Sequence, residues 1–158
     1  METIRKGMVL IVSLLILTGT ISAETKSLGI ERERAKVIIR RTAFVILAAH
    51  KEVKEHRVFT GFLARSINHQ RYARMLFLEG KYLRAIYHSR RARFLAVKAI
   101  EANKGVVPTD IGYTREDEGL MRGAPNDDEL DKNVAKALPD APTKDEDVIE
   151  KTPDVDMN

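Results

Sequence analysis

The chain contains no cysteine and no tryptophan among its 158 residues. Without thiols there is no disulfide staple, no thiolate nucleophile and no cysteine metal ligand, so packing alone must hold the fold. Proline is missing from Ile30 to Asn103. All five prolines (Pro108, Pro125, Pro139, Pro142 and Pro153) come later. The same interior has two glycines, Gly61 and Gly80, and nowhere alternates apolar with polar residues. Strands are therefore not expected, and long helices are. No Asn-x-Ser/Thr sequon is present. Neither a Gly-rich phosphate loop nor HExxH, GxSxG or a paired-carboxylate motif occurs, so the chain reads as a non-enzymatic protein that needs no cofactor.

What is present begins with "METIRKGMVLIVSLLILTGTISA". Arg5 and Lys6 precede an apolar run from Met8 to Leu17, and small and polar residues then lead to Ala23. This is the three-part plan of a secretory signal peptide, residues 1–23, with cleavage expected between Ala23 and Glu24. The alternative is a retained anchor, but Thr18, Gly19, Thr20 and Ser22 dilute the run before it reaches the roughly 20 apolar residues of a membrane span. An exported protein, periplasmic or secreted, is expected. With no cysteine after the cleavage site, lipid attachment there is excluded.

Charge divides the rest. From Glu24 to Asn103 there are 18 basic residues against 7 acidic, and from Lys104 onward 15 acidic against 7 basic. A short linker (24–29), a basic domain (30–103) and an acidic tail (104–158) follow from this. The tail is poor in aromatic and large aliphatic residues, so it is expected to be mostly disordered. One exception is a short helix over 127–138: Asn126 and Glu129 form a capping box, Leu130, Val134 and Leu138 recur at helical spacing, and Pro139 stops the run.

Three amphipathic helices fill the basic domain. The first runs from about Glu31 to Arg57, with Ala35, Ile38, Thr42, Val45, Ala49 and Val53 on one stripe. The second, about Phe59 to Glu79, has Phe59, Phe62, Ser66, Ala73, Leu76 and Phe77 on a face. The third, Lys81 to about Ala102, has Tyr82, Ala85, Ile86, Ser89, Ala92, Ala96, Val97 and Ile100. "HRVFTGF" lacks a strong stop signal, so the first two could join as one bent helix. The fold class is all-α: a helical hairpin or three-helix bundle.

Residues 69–96, "HQRYARMLFLEGKYLRAIYHSRRARFLA", resemble a tetratricopeptide repeat. Ala73, Leu76, Phe77, Gly80, Tyr82, Ala85 and Ala92 stand at that family's spacings, whereas His69 replaces a large aromatic and no proline closes the unit. The resemblance implies a close-packed helical hairpin turning at Gly80. It covers a single unit with no second copy, and solenoids need about three repeats, so the family's peptide groove does not transfer.

The four histidines (His50, His56, His69 and His88) show no i, i+4 metal pair. His69 points toward the hairpin interface, where Ser66, Gln70 and Ser89 can satisfy it as a buried polar group. His88 falls on the outer side of its helix. No metal site is expected.

Two surfaces suggest partners. Arg71, Arg74, Arg84, Arg91 and Lys98 form a candidate face for an anionic partner. In an exported protein that means anionic lipid, cell-wall polymer, an acidic protein or the chain's own tail. Nucleic acid fits the charge but not the compartment. Phe44, Leu47, Leu83, Tyr87 and Phe94 lie beside the main stripes and form a candidate apolar interface for a protein partner, a second copy or the tail helix. The leading expectation is a helical module of the bacterial envelope acting through protein–protein contacts. The alternative is electrostatic binding to anionic lipid or cell-wall polymer, regulated by the acidic tail.

Overall fold

The computed structural model describes the backbone of residues 2–107, 119 and 121–157, and the side chains of these from residue 27 onward. The cleavage expected at Ala23 and Glu24 therefore concerns side chains outside the described residues.

The protein is all-α. Four helices, α1 (Glu2–His56), α2 (Phe62–Leu78), α3 (Tyr82–Ala102) and α4 (Asp127–Ala137), pack as a bundle around an α1–α3 core, with a 3₁₀ turn at Asp145–Asp147. Among the described residues there is no strand. Helix α1 begins long before Glu31, and residues 24–29, read as a linker from the sequence, are helical. No proline or cap interrupts them, and an isolated Gly29 costs a helix only about 1 kcal/mol. No helix among the described residues is long and apolar enough to cross a membrane.

Between α1 and α2 the chain breaks rather than bends. Arg57 (φ 60°) and Gly61 (φ 77°) both take the left-handed conformation. For a non-glycine residue this costs about 1–2 kcal/mol, so the surroundings must hold Arg57 there. Asn103, fully buried at the end of α3, does part of this. Its side chain accepts from the Val58 N–H at 3.0 Å and donates to the Val58 carbonyl at 3.0 Å.

The α2–α3 turn uses Gly80 (φ 76°). Lys81 N–H donates to the Leu76 carbonyl and Gly80 N–H to that of Phe77, the paired bonds of a Schellman motif.

The core has two apolar clusters. One joins Val45, Ile46 and Ala49 of α1 to Leu63 and Ile67 of α2 and to Ala96 and Ile100 of α3. The other joins Ile38 and Ile39 to Leu76, Phe77 and Ile86. A buried polar layer also links the helices. Gln70 donates to the Ile39 carbonyl at 2.8 Å and accepts from Ser89 Oγ at 3.1 Å, and Arg93 Nε donates to Thr42 Oγ1 at 3.2 Å. Satisfied in this way, a buried polar group fixes register without an unpaired desolvation cost of about 1–3 kcal/mol.

The tail departs from expectation. Residues 121–157, expected to be mostly disordered, lie against the body. Leu130, Val134, Ile149 and Val155 are buried, and the last two belong to the first apolar cluster. The tail is too poor in apolar residues to form a core of its own. It adds single apolar side chains to a core that α1–α3 have already built, and it brings carboxylates to a basic body.

Candidate functional site

The docked tail and the α2–α3 hairpin create the most elaborate polar arrangement in the molecule. Helical spacing sets it up: Arg65, His69 and Tyr72 stand four and three apart on α2, and His88 and Arg91 stand three apart on α3. Helix α4 supplies the counterpart. It opens with Asn126, whose side chain accepts from Glu129 N–H at 2.9 Å, and its first turn is acidic. Asp127 and Asp131, then Leu130 and Val134, recur at four-residue steps, so one face carries both carboxylate and apolar anchors.

Asp131 is the hub. Arg91 donates to it bidentately, Nε to Oδ1 and Nη2 to Oδ2, each at 3.1 Å, and Arg65 Nη2 also donates to Oδ2. His69 Nε2 lies 2.9 Å from Oδ1. Arg91 Nη1 reaches Asp127. Beyond His69, its Nδ1 is 3.1 Å from Nδ1 of His88, and the two rings stack at 25° with centroids 5.4 Å apart. Tyr72 meets the His88 ring edge-on at 4.6 Å.

The hydrogen bonds fix the protons. An ionised Asp131 can only accept, so His69 carries its proton on Nε2 and presents a bare Nδ1. The single proton between the two Nδ1 atoms therefore belongs to His88. Burial lowers the His69 pKa to about 4, against the opposing pull of Asp131 and with help from the nearby Arg91 and Arg65 charges. Burial likewise brings His88 to about 3, aided by His69 and Arg84. Burial alone would raise Asp131, but hydrogen bonds from Arg91 and His69 and the charges of Arg65 and Arg91 hold it at about 2. At neutral pH the cluster is thus a carboxylate, two neutral imidazoles and two guanidiniums.

Further along, Asp145 is fully buried and accepts backbone N–H bonds from Thr60 and Gly61, both at 2.8 Å, and Ala64 at 2.9 Å. Asn68 donates to the Pro142 carbonyl, His50 to that of Ile149 and Gln70 to that of Val155. Arg74 pairs with Asp154.

Of the face assigned to an anionic partner, Arg91 and Arg74 hold tail carboxylates, and Lys98 pairs with Glu101 at 2.9 Å. Arg84 is exposed and Arg71 half-buried. The apolar set is scattered. Tyr87 is buried and shares a cavity of about 160 Å³ with Leu130, Leu47 packs against the core, and Phe44, Leu83 and Phe94 remain exposed. Arg91 and Lys98 sit over the Phe94 ring. His88 is 1% exposed rather than on an outer side, because α4 and Tyr72 turn that side into an interior. Ser66, Gln70 and Ser89 bond backbone and one another, so His69 finds its partners in His88 and Asp131 instead.

Sequence reasoning missed Asp131, Arg65 and Asp145. The i, i+4 pairing of acids with apolar residues on α4 was the available signal for the first. Among the described residues no group of three or more histidine, aspartate or glutamate side chains is arranged to hold a metal ion. Compared with known proteins, the chain matches no family model, no curated protein and no solved structure.

Proposed function

We propose that this chain is an exported, non-enzymatic module of the bacterial envelope that acts through protein–protein contacts. Its ligand is an acidic amphipathic helix received on the α2–α3 hairpin. One observation carries this reading: Asp131 is gripped by Arg65, Arg91 and His69 while Leu130 and Val134 of the same helix are buried. Bidentate arginine recognises a carboxylate by shape as well as charge, and adjacent apolar pockets read the side chains one turn away. Helix α4 is then the intramolecular occupant, and a partner helix with the same leucine–aspartate–valine spacing competes with it.

Fluorescence anisotropy with a labelled peptide spanning residues 126–138 tests the reading. The full chain carrying Leu130→Ala and Asp131→Asn, which weaken the resident helix, binds the peptide at least tenfold more tightly than the parent does. A peptide bearing Asp131→Asn loses that affinity. If the doubly substituted chain ignores the peptide, the assignment is wrong.

A further inference from the structure

A second surface, on the side of α1 away from the core, carries an independent inference. From Ile30 to Ala48 eight residues of α1 are exposed: three apolar, four arginines and Glu33. The apolar three, Ile30 (48% exposed), Val37 (46%) and Phe44 (72%), are spaced by seven and form one line about 21 Å long. Arg34, Arg40 and Arg41 flank this line, whereas Arg32 lies on the opposite side of the helix. All four are exposed, and among the described residues no carboxylate pairs with any of them. Of the tail carboxylates, Asp131, Asp154 and Asp127 pair with Arg65, Arg74 and Arg91 on the α2–α3 side, and Glu150 pairs with Arg57 just beyond the end of α1. The basic charge of α1 is thus left facing outward.

The pattern decides the occupant. A helical partner packed in a coiled-coil seam requires two apolar residues per heptad, and here each heptad provides one, with arginine beside it. A second copy of this chain would set arginine against arginine. A bilayer surface requires neither a second apolar row nor a matching shape. Single apolar side chains enter the acyl boundary, and arginine stems lie along it with their guanidiniums at the phosphates. Each such cation is worth about 1 kcal/mol near an anionic surface. We infer that the outer face of α1, along Ile30, Val37 and Phe44, is a docking surface for anionic phospholipid. It lays the bundle flat on the membrane with the α2–α3 hairpin and its docked tail turned to solvent.

The absence of tryptophan makes a direct test possible. Phe44→Trp in the full chain places one reporter at the most exposed point of the line, where the larger ring disturbs no packing. With phosphatidylglycerol vesicles the emission shifts to the blue and is quenched by brominated acyl chains. With phosphatidylcholine vesicles, or at high salt, neither occurs. Adding Arg34→Gln and Arg41→Gln weakens the phosphatidylglycerol titration by roughly tenfold or more. The apolar run Met8–Leu17 is common to every variant, so it does not account for a difference between them. A reporter that stays solvated on phosphatidylglycerol overturns the inference. So does one that responds equally to phosphatidylcholine. A blue shift that grows with protein concentration in the absence of vesicles overturns it too, and assigns the face to a second copy.

Discussion

Asp145 and Ala64 are 81 residues apart in the chain, yet the Asp145 carboxylate accepts the Ala64 N–H at 2.9 Å inside the protein. Together with its bonds from Thr60 and Gly61, this makes a residue of the tail the cap of α2, whose own N-cap, Gly61, has no side chain to offer. Losing the carboxylate leaves three N–H groups at a helix start without an acceptor. Asp145→Ala is expected to cost about 2–4 kcal/mol in urea unfolding, and Asp145→Asn, which keeps one acceptor oxygen, roughly half of that. An Asp145→Ala protein of parental stability would show that the cap is not held in solution.

The Asp131 hub acts more locally. Asp131→Asn removes the charge that Arg65, Arg91 and His69 share and weakens the docking of α4 by about 2 kcal/mol. Amide exchange in residues 127–137 should then accelerate by roughly thirtyfold, while the buried amides of α1 and α3 keep their protection. Uniform acceleration through the bundle would mean that α4 unfolds only with everything else.

The buried histidines set a direction for pH. His69 and His88 are depressed from 6.5 to about 4 and about 3 in the folded protein. The unfolded chain therefore takes up protons first as pH falls, and unfolding is favoured progressively below about pH 6.5. With both sites contributing, stability should fall by up to about 3 kcal/mol per pH unit between about pH 6 and about pH 4. The contribution is fully present above pH 6.5. Asp131, depressed from 3.8 to about 2, extends the loss below about pH 4. Urea titrations across this range check the slope, and a His69→Gln/His88→Gln protein should flatten it.

Proton placement gives a test that does not depend on stability. Long-range nitrogen–proton spectra at neutral pH should find the Nε2–H tautomer at His69 and the Nδ1–H tautomer at His88. A proton on Nδ1 of His69 would leave its Nε2 lone pair facing the Asp131 carboxylate, and would refute the described network.

Much of the fold was legible because helices report themselves locally. The stripe Ala35, Ile38, Thr42, Val45, Ala49 and Val53 is buried throughout, and so are Ala85, Ile86, Ser89, Ala92, Ala96 and Ile100. Gly80 marks the turn that it makes. The Asn126 cap, accepting from the Glu129 N–H, opens α4 at its expected start. The site was less legible. His69 reads from the sequence as a buried polar residue and Arg91 as part of an anionic-partner face, but nothing local joins them to Arg65 and His88 until α4 lies across all four, and the outward assignment of His88 failed for that reason.

Composition and periodicity by themselves determined an all-α, cysteine-free chain with a basic body, an acidic tail and a hairpin folded at Gly80, since each depends on residues within a few turns of one another. Only the tertiary structure decided that the tail belongs to the body. Ile149 and Val155 are isolated apolar residues in an acidic run, and Asp145 is one acid among many. No local pattern distinguishes a carboxylate that stays in water from one that reaches three waiting N–H groups. That choice arises from contacts between residues some 80 positions apart, which become favourable only once α1, α2 and α3 have built the surface that receives them.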